Sequence, residues 1–238
     1  MENNINRDDI DAVIDFLQGD PKLTQGDQVA RFEQSWSEWI GKKHSVFVNS
    51  GSSANLLAMT AVKILHGPAD IILPTLTWVY DCASVIQAGH NPIFVDIDPH
   101  HLGMSTQKII DSITPNTKAV FITHILGLNA LTQQLLDYLE QHNILLIEDV
   151  CESYGATFNN KKLGGYGYAS NFSFYYAHHL STIEGGMIST DDKVLYETLR
   201  MLRSHGMVRE CTDQSIKNDY AQRYPGLNPS FYFLSCCL

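Results

Sequence analysis

Apolar side chains recur at helical spacing over residues 8–17 and again over residues 27–40, with Gly19, Asp20 and Pro21 breaking the pattern between them. Two N-terminal helices are therefore predicted. Past His44 the period changes. The run "HSVFVNSGSSANLLAM" (residues 44–59) reads as strand, glycine turn and helix. Short β-rich runs follow, "IILP", "PIFVDID", "AVFITH" and "ILLIED", several of them separated by helical stretches such as residues 131–142. Short apolar strands alternating with helices predict an α/β fold with a mostly parallel sheet covered on both faces. In such sheets ligands sit at the carboxyl ends of the strands. The pattern turns helical again from Asp191, whereas residues 212–230 are polar and read as loop. The end, "FYFLSCCL", is apolar.

Composition narrows the class of partner. Of 238 residues, 44% are hydrophobic and 18% charged, which supplies enough apolar side chain for a large core. A net charge of -10, with no compensating block of Lys and Arg, argues against nucleic acid or an anionic membrane and leaves a small molecule or a protein. No apolar run approaches the roughly 20 residues that span a bilayer. The five cysteines, Cys82, Cys151, Cys211, Cys236 and Cys237, are scattered and odd in number, and no cationic-apolar leader is present at the start. The expectation is a reduced, cytoplasmic setting.

Four stretches carry candidate chemistry. "NSGSSAN" (residues 49–55) follows a strand and opens a helix, so its free amides and small hydroxyls offer an anion site; the plainer reading is a serine-capped turn. Trp78 in "PTLTWVYD" stands just past a strand end, where an indole stacks on a planar ring or packs in a core. In "LLIEDVCESYGA" an apolar strand ends directly in Glu148 and Asp149, with Glu152 one turn later. A carboxylate at the mouth of a parallel strand is costly unless paired or wet, and acidic preference at a helix start does not account for Asp149. A buried carboxylate there suits a protonated heterocyclic nitrogen. In "SFYYAHHLSTIEGG", Ser173 lies close to a strand, and His178 and His179 follow on the same connection. Neighbouring side chains rarely point at one ion and no further pair stands at ligand spacing, so no metal site is expected.

In their order along the chain, "LTQGDQVARFEQSW", "NSGSSAN", "LPTLTW", "IEDVCESYGA" and "NFSFYYAHHLSTIEGGM" resemble the nucleotide-sugar aminotransferases and dehydratases of the DegT/DnrJ/EryC1/StrS group, from about Leu23 onward. That resemblance implies the large domain of a fold-type I pyridoxal-phosphate-dependent transferase, with a mostly parallel, seven-stranded type of sheet and helices on both faces. It implies an N-terminal helical segment over 1–22, a cofactor-binding domain over 23–210, and over 211–238 the start of a connection to a smaller C-terminal domain, so a C-terminally truncated chain is expected. The implied cofactor is pyridoxal 5'-phosphate, alternating with pyridoxamine 5'-phosphate. Ser52, Ser53 and Ser173 would hold its phosphate. Trp78 would stack on its ring, Asp149 would pair with the ring nitrogen, and Glu152 would stand near the phenolic oxygen, where the family usually has Gln.

The departure is at His178. In the group's aminotransferases this position of S-F-x-x-x-K is the lysine that holds the cofactor covalently, and this motif contains no lysine. A histidine here resembles the branch that removes the C3 hydroxyl of nucleotide-linked 4-keto-6-deoxyhexoses. The implied activity is a 3-dehydratase acting on GDP-4-keto-6-deoxy-D-mannose, with L-glutamate as amino donor and His178 as the single general base. His179 is given a structural role. The branch acting on a CDP-linked sugar carries an iron-sulfur cluster. "HGMVREC" (residues 205–211) is similar to it, but the closely spaced cysteines that follow there are missing, so the GDP-sugar reading is preferred. A C4 aminotransferase and a non-catalytic cofactor-binding protein remain as alternatives. The family implies a homodimer and, for this sequence, a role in dideoxysugar biosynthesis of the colitose and O-antigen type.

Overall fold

The structure is a computed structural model that describes residues 5–226 together with 228, 230, 232 and 233. Cys236, Cys237 and most of the terminal apolar run lie outside the described residues. The two expected N-terminal helices are α1 (Arg7–Gln18), capped by the Asn6 side chain, and α2 (Asp27–Ile40), closed by Gly41 in the left-handed conformation. Nine strands follow among the described residues. They are β1 (His44–Val48), β2 (Asp70–Pro74), β3 (Asn91–Val95), β4 (Thr117–Thr123), β5 (Leu145–Asp149), the short pair β6 (Thr157–Phe158) and β7 (Lys161–Lys162), then β8 (Ala169–Ser173) and β9 (Gly186–Thr190). Between and after them run α3 (Gly51–His66), α4 (Val79–Gln87), α5 (Thr106–Asp111), α6 (Gln133–Gln141), α7 (Lys193–Arg203) and α8 (Gln214–Arg223). The last of these corrects the sequence expectation of a loop over 212–230. Asp213 caps α8, but no residue of the helix is buried, so it lacks the apolar stripe that periodicity detects.

Seven strands make one sheet in the order β1-β9-β8-β5-β4-β2-β3, while β6 and β7 pair separately. The pairs from β8 through β3 are parallel, and β9 alone runs antiparallel to both its neighbours. The expected mostly parallel α/β sheet is thus present. Alternate side chains of each central strand enter opposite cores. Ile71, Ala119 and Phe121 pack with Ala54, Ala58 and Met59 of α3 and with Leu195 and Leu199 of α7. Ile72, Val120 and Ile122 pack with Trp36 of α2 and Leu135 of α6.

The register then gathers the chemistry at one edge. Thr123 lies opposite Asp149, Asp149 opposite Asn171, Ser173 opposite Gly186, and Gly186 opposite Val48. Chain reversal between β8 and β9 brings the start of β9 against the start of α3 so closely that a Cβ on Gly186 would fall 2.2 Å from the Ser50 carbonyl oxygen. Gly186 is fixed by packing.

Candidate active site

Helix α3 starts at the carboxyl end of β1, and its first-turn amides have no partner inside the helix. Ser50 supplies one: its Oγ accepts from the Ser53 amide at 3.1 Å and its hydroxyl meets Ser53 Oγ at 3.1 Å. Ser53 is therefore engaged in the cap and does not line the cleft, while Ser50, Gly51 and Ser52 do. Ser173, buried at the end of β8, stands against this helix start. A Cβ on Gly51 would lie 2.6 Å from Ser173 Cβ and 3.2 Å from Cys151 Sγ. Two serine hydroxyls and the positive end of a helix thus converge on one small concavity.

At the next strand end, Asp149 is 4% exposed. Its Oδ1 accepts from the Cys151 amide at 2.9 Å and its Oδ2 from Asn55 Nδ2 at 3.1 Å. No Lys, Arg or His forms an ion pair with it among the described residues. Asn55 also donates to Asp81 Oδ1 at 2.6 Å, and its own Oδ1 accepts from Asn171 Nδ2 at 2.8 Å. The sequence reading missed Asp81, Asn55 and Asn171. Burial, then the charge of Asp149, holds the Asp81 carboxyl well above the usual carboxylate range. Burial and the same aspartate push the Cys151 thiol up, so it stays neutral.

The connection between β8 and β9 closes the cleft. His178 is half-buried, with its ring 6.4 Å from that of Tyr154 and 6.2 Å from that of Tyr175. Burial lowers its pKa from the ordinary 6.5, against the opposing pull of the Glu152 and Asp149 carboxylates. The ring is neutral at physiological pH. His179 is exposed and also lines the cleft, its ring 6.1 Å from that of Tyr154. Tyr154 donates to the Ser173 carbonyl, which ties this loop to the end of β5. Glu152 is exposed and accepts from the Leu126 amide at 3.0 Å. Trp78, just before α4, is 65% exposed and presents its indole to the opening.

The cleft has a volume of about 1080 Å³ and brings together Ser52, Trp78, Asp149, Glu152, Ser173, His178 and His179. Of the sequence-derived site residues only Ser53 stands aside. The shape fits an elongated aromatic phosphate: an anion cradle at one end, a buried carboxylate with no cationic side chain as partner at the other, and an uncovered indole at the mouth. No lysine is among the residues lining it. Among the described residues no three His, Cys, Asp or Glu side chains are grouped to hold a metal, and no helix is long and apolar enough to cross a membrane.

Comparison with known proteins places these features in a lineage. The sequence profile of the DegT/DnrJ/EryC1/StrS aminotransferase family matches residues 3–231. A GDP-4-keto-6-deoxy-D-mannose 3-dehydratase from Yersinia pseudotuberculosis is 37% identical over 79% of this chain and 49% of its own length. A GDP-perosamine synthase from Caulobacter vibrioides is 38% identical over 75% of this chain and 48% of its own. The structure of the E. coli GDP-4-keto-6-deoxy-D-mannose-3-dehydratase with bound hydrated PLP superposes with a TM-score of 0.82 at 31% identity, covering 98% of this chain and 58% of that one. The chain spans about half the length of the curated relatives it matches.

Proposed function

The chain belongs to the DegT/DnrJ/EryC1/StrS aminotransferase family, and from that premise we propose that it is the large domain of a pyridoxal-phosphate-dependent 3-dehydratase. Its substrates on this reading are GDP-4-keto-6-deoxy-D-mannose and L-glutamate. The observation that carries the choice of dehydratase over aminotransferase is the cleft lining: it contains His178 and His179 and no lysine. An imidazole cannot bind the cofactor covalently, but it can move protons. Similarity alone does not separate the two activities, since a dehydratase and a perosamine synthase are matched at 37% and 38% identity. The family likeness also supports a homodimer.

Ser52, Ser173 and the first-turn amides of α3 would hold the phosphate, and Asp149 would keep the ring nitrogen protonated. Trp78 would cover one face of the ring, and Glu152 would lie beside the phenolic oxygen. Bound pyridoxal phosphate supplies an electron sink that lets a neighbouring carbon give up a proton. His178, neutral because it is partly buried, accepts a proton at a ring nitrogen and, once charged, donates it to the hydroxyl departing from C3. The oxygen lost from the sugar is matched by the oxygen gained as glutamate becomes 2-oxoglutarate and ammonia, so no external reductant is needed.

The test is incubation with pyridoxal phosphate, L-glutamate and the GDP-linked keto sugar, following 3-deoxy product and ammonia. His178→Lys should abolish deoxygenation and shift the cofactor absorbance as the new amine binds it. Full deoxygenation by His178→Asn would remove the base from this scheme.

A further inference from the structure

Behind Asp149 lies a second carboxyl that the scheme above does not use. Asp81, in the first turn of α4, is fully buried, and its two oxygens have separate partners. Oδ1 accepts from Asn55 Nδ2 at 2.6 Å, the same amide that serves Asp149 Oδ2 at 3.1 Å. Oδ2 meets two hydroxyls, Thr77 Oγ1 and, at 2.8 Å, Thr123 Oγ1, and those hydroxyls are themselves 2.6 Å apart. Three oxygens thus form a closed triangle of hydrogen-bond contacts, and each contact needs a proton between its atoms. The two threonines supply only two. A carboxylate at Asp81 would leave one contact as bare oxygen against oxygen in a dry interior, where an unmade bond costs most.

We propose that Asp81 is held as the neutral acid, its proton completing the triangle with Thr77 and Thr123, so that Asp81 and Asp149 together present a single negative charge. Burial and the Asp149 charge act in the same direction. The ionisable groups that face this pair are Cys151, whose thiol stays neutral, Tyr154, whose phenol burial pushes up so that it too stays neutral, and beyond them Glu152 and His178 at the cleft surface. Asp81 is then a positioning residue. Through Asn55 it fixes the orientation of the Asp149 carboxylate, and by staying neutral it leaves one charge to match one protonated ring nitrogen. That functional consequence rests on the reading of Asp149 as the partner of the cofactor nitrogen; the proton count does not.

The proton is measured on the chain without cofactor. Asp81→Asn replaces the acid by a neutral amide that still accepts from Asn55 and still donates toward the threonines. A carboxyl whose pKa is raised by folding stabilises most below its unfolded value, about 3.9, and loses that contribution as pH rises through the folded value. Melting temperatures of wild type and Asp81→Asn should therefore be close at pH 4, with the variant gaining on wild type by several degrees toward pH 8. A constant difference, or one that grows in favour of wild type, overturns the proposal. Should the variant not fold, wild type with aspartate ¹³C-labelled at the side-chain carboxyl carries the test: one signal should keep its protonated position at pH 6. If every aspartate has ionised by then, the shared charge is refuted. Failure of the chain to bind pyridoxal phosphate would overturn the proposed function and leave both readouts standing.

Discussion

At the scale of single residues, the site divides into groups that sequence exposes and groups that only the fold can assemble. Asp149 was legible because a charged residue ending an apolar strand contradicts its surroundings, and His178 because it occupies a position where the resembling motif has lysine. Asp81 carried no such contradiction: an aspartate in the first turn of a helix is ordinary, and beyond Thr77, four residues upstream, its partners Asn55 and Thr123 arrive from two other segments. Ser53 is the opposite case: the resemblance assigns it to the phosphate, whereas in the fold its amide is taken up by the Ser50 cap, a contact that adjacency to Ser52 does not announce. The electrostatics of His178 make a prediction at this scale. Because burial lowers its pKa, the proposed reaction should fail on the acid side through a limb below pH 6.5, where the imidazole becomes charged. The Glu152 carboxylate pulls that pKa upward, so Glu152→Gln should move the limb to still lower pH in a pH-rate profile of the deoxygenation. A limb that stays in place or moves upward would show that the two groups do not sense each other.

Elements were legible in proportion to the apolar surface they bury. Helices α2 and α6 and strands β2 to β5 announce themselves by periodic or continuous apolar residues, because each packs a face into a core. Helix α8 has no fully buried residue and sets only Ile216 and Tyr220, partly buried, against a small cluster, and β6 and β7 are two residues each, so none of them leaves a strong period to detect. Strand β9 is buried along its whole length, yet nothing in "GMIST" states that it runs antiparallel between β1 and β8. That direction matters to the site, because it brings the start of β9 against the turn that opens α3. The close approach predicts a specific sensitivity. Gly186→Ala places a methyl group 2.2 Å from the Ser50 carbonyl, backbone that cannot rotate away. The substitution should destabilise by about 1–3 kcal/mol as an overpacked core site does. Because the displaced atoms belong to the proposed phosphate cradle, it should also weaken pyridoxal-phosphate binding, both read from denaturant midpoints with and without cofactor. Loss of stability without loss of binding would mean that the turn recovers its shape elsewhere.

For the whole molecule, the resemblance implies a boundary near residue 22, and the exposure of α1 turns that expectation into a prediction about stability. Helix α1 has no buried residue, although Ile10, Val13, Ile14, Phe16 and Leu17 give it an apolar side. It therefore adds almost nothing to the two cores that sandwich the sheet, whereas α2 contributes Trp36 and Ile40 directly. Its capping box and the Arg7–Asp11 pair at 2.6 Å are local, solvent-exposed interactions of small net worth. Removal of residues 1–22 should consequently leave the melting temperature within about 2 °C of the intact chain, as expected when no buried apolar surface is lost. The cleft should be equally indifferent, since no lining residue precedes Ser50. The same truncation carried past Trp36 should instead collapse the second core. The contrast between the two truncations, followed by thermal unfolding and by pyridoxal-phosphate absorbance, separates a unit that begins after α1 from one that depends on it. A large destabilisation by the shorter truncation would mean that α1 buries its apolar side in solution, and residues 23–210 would then not stand as a unit.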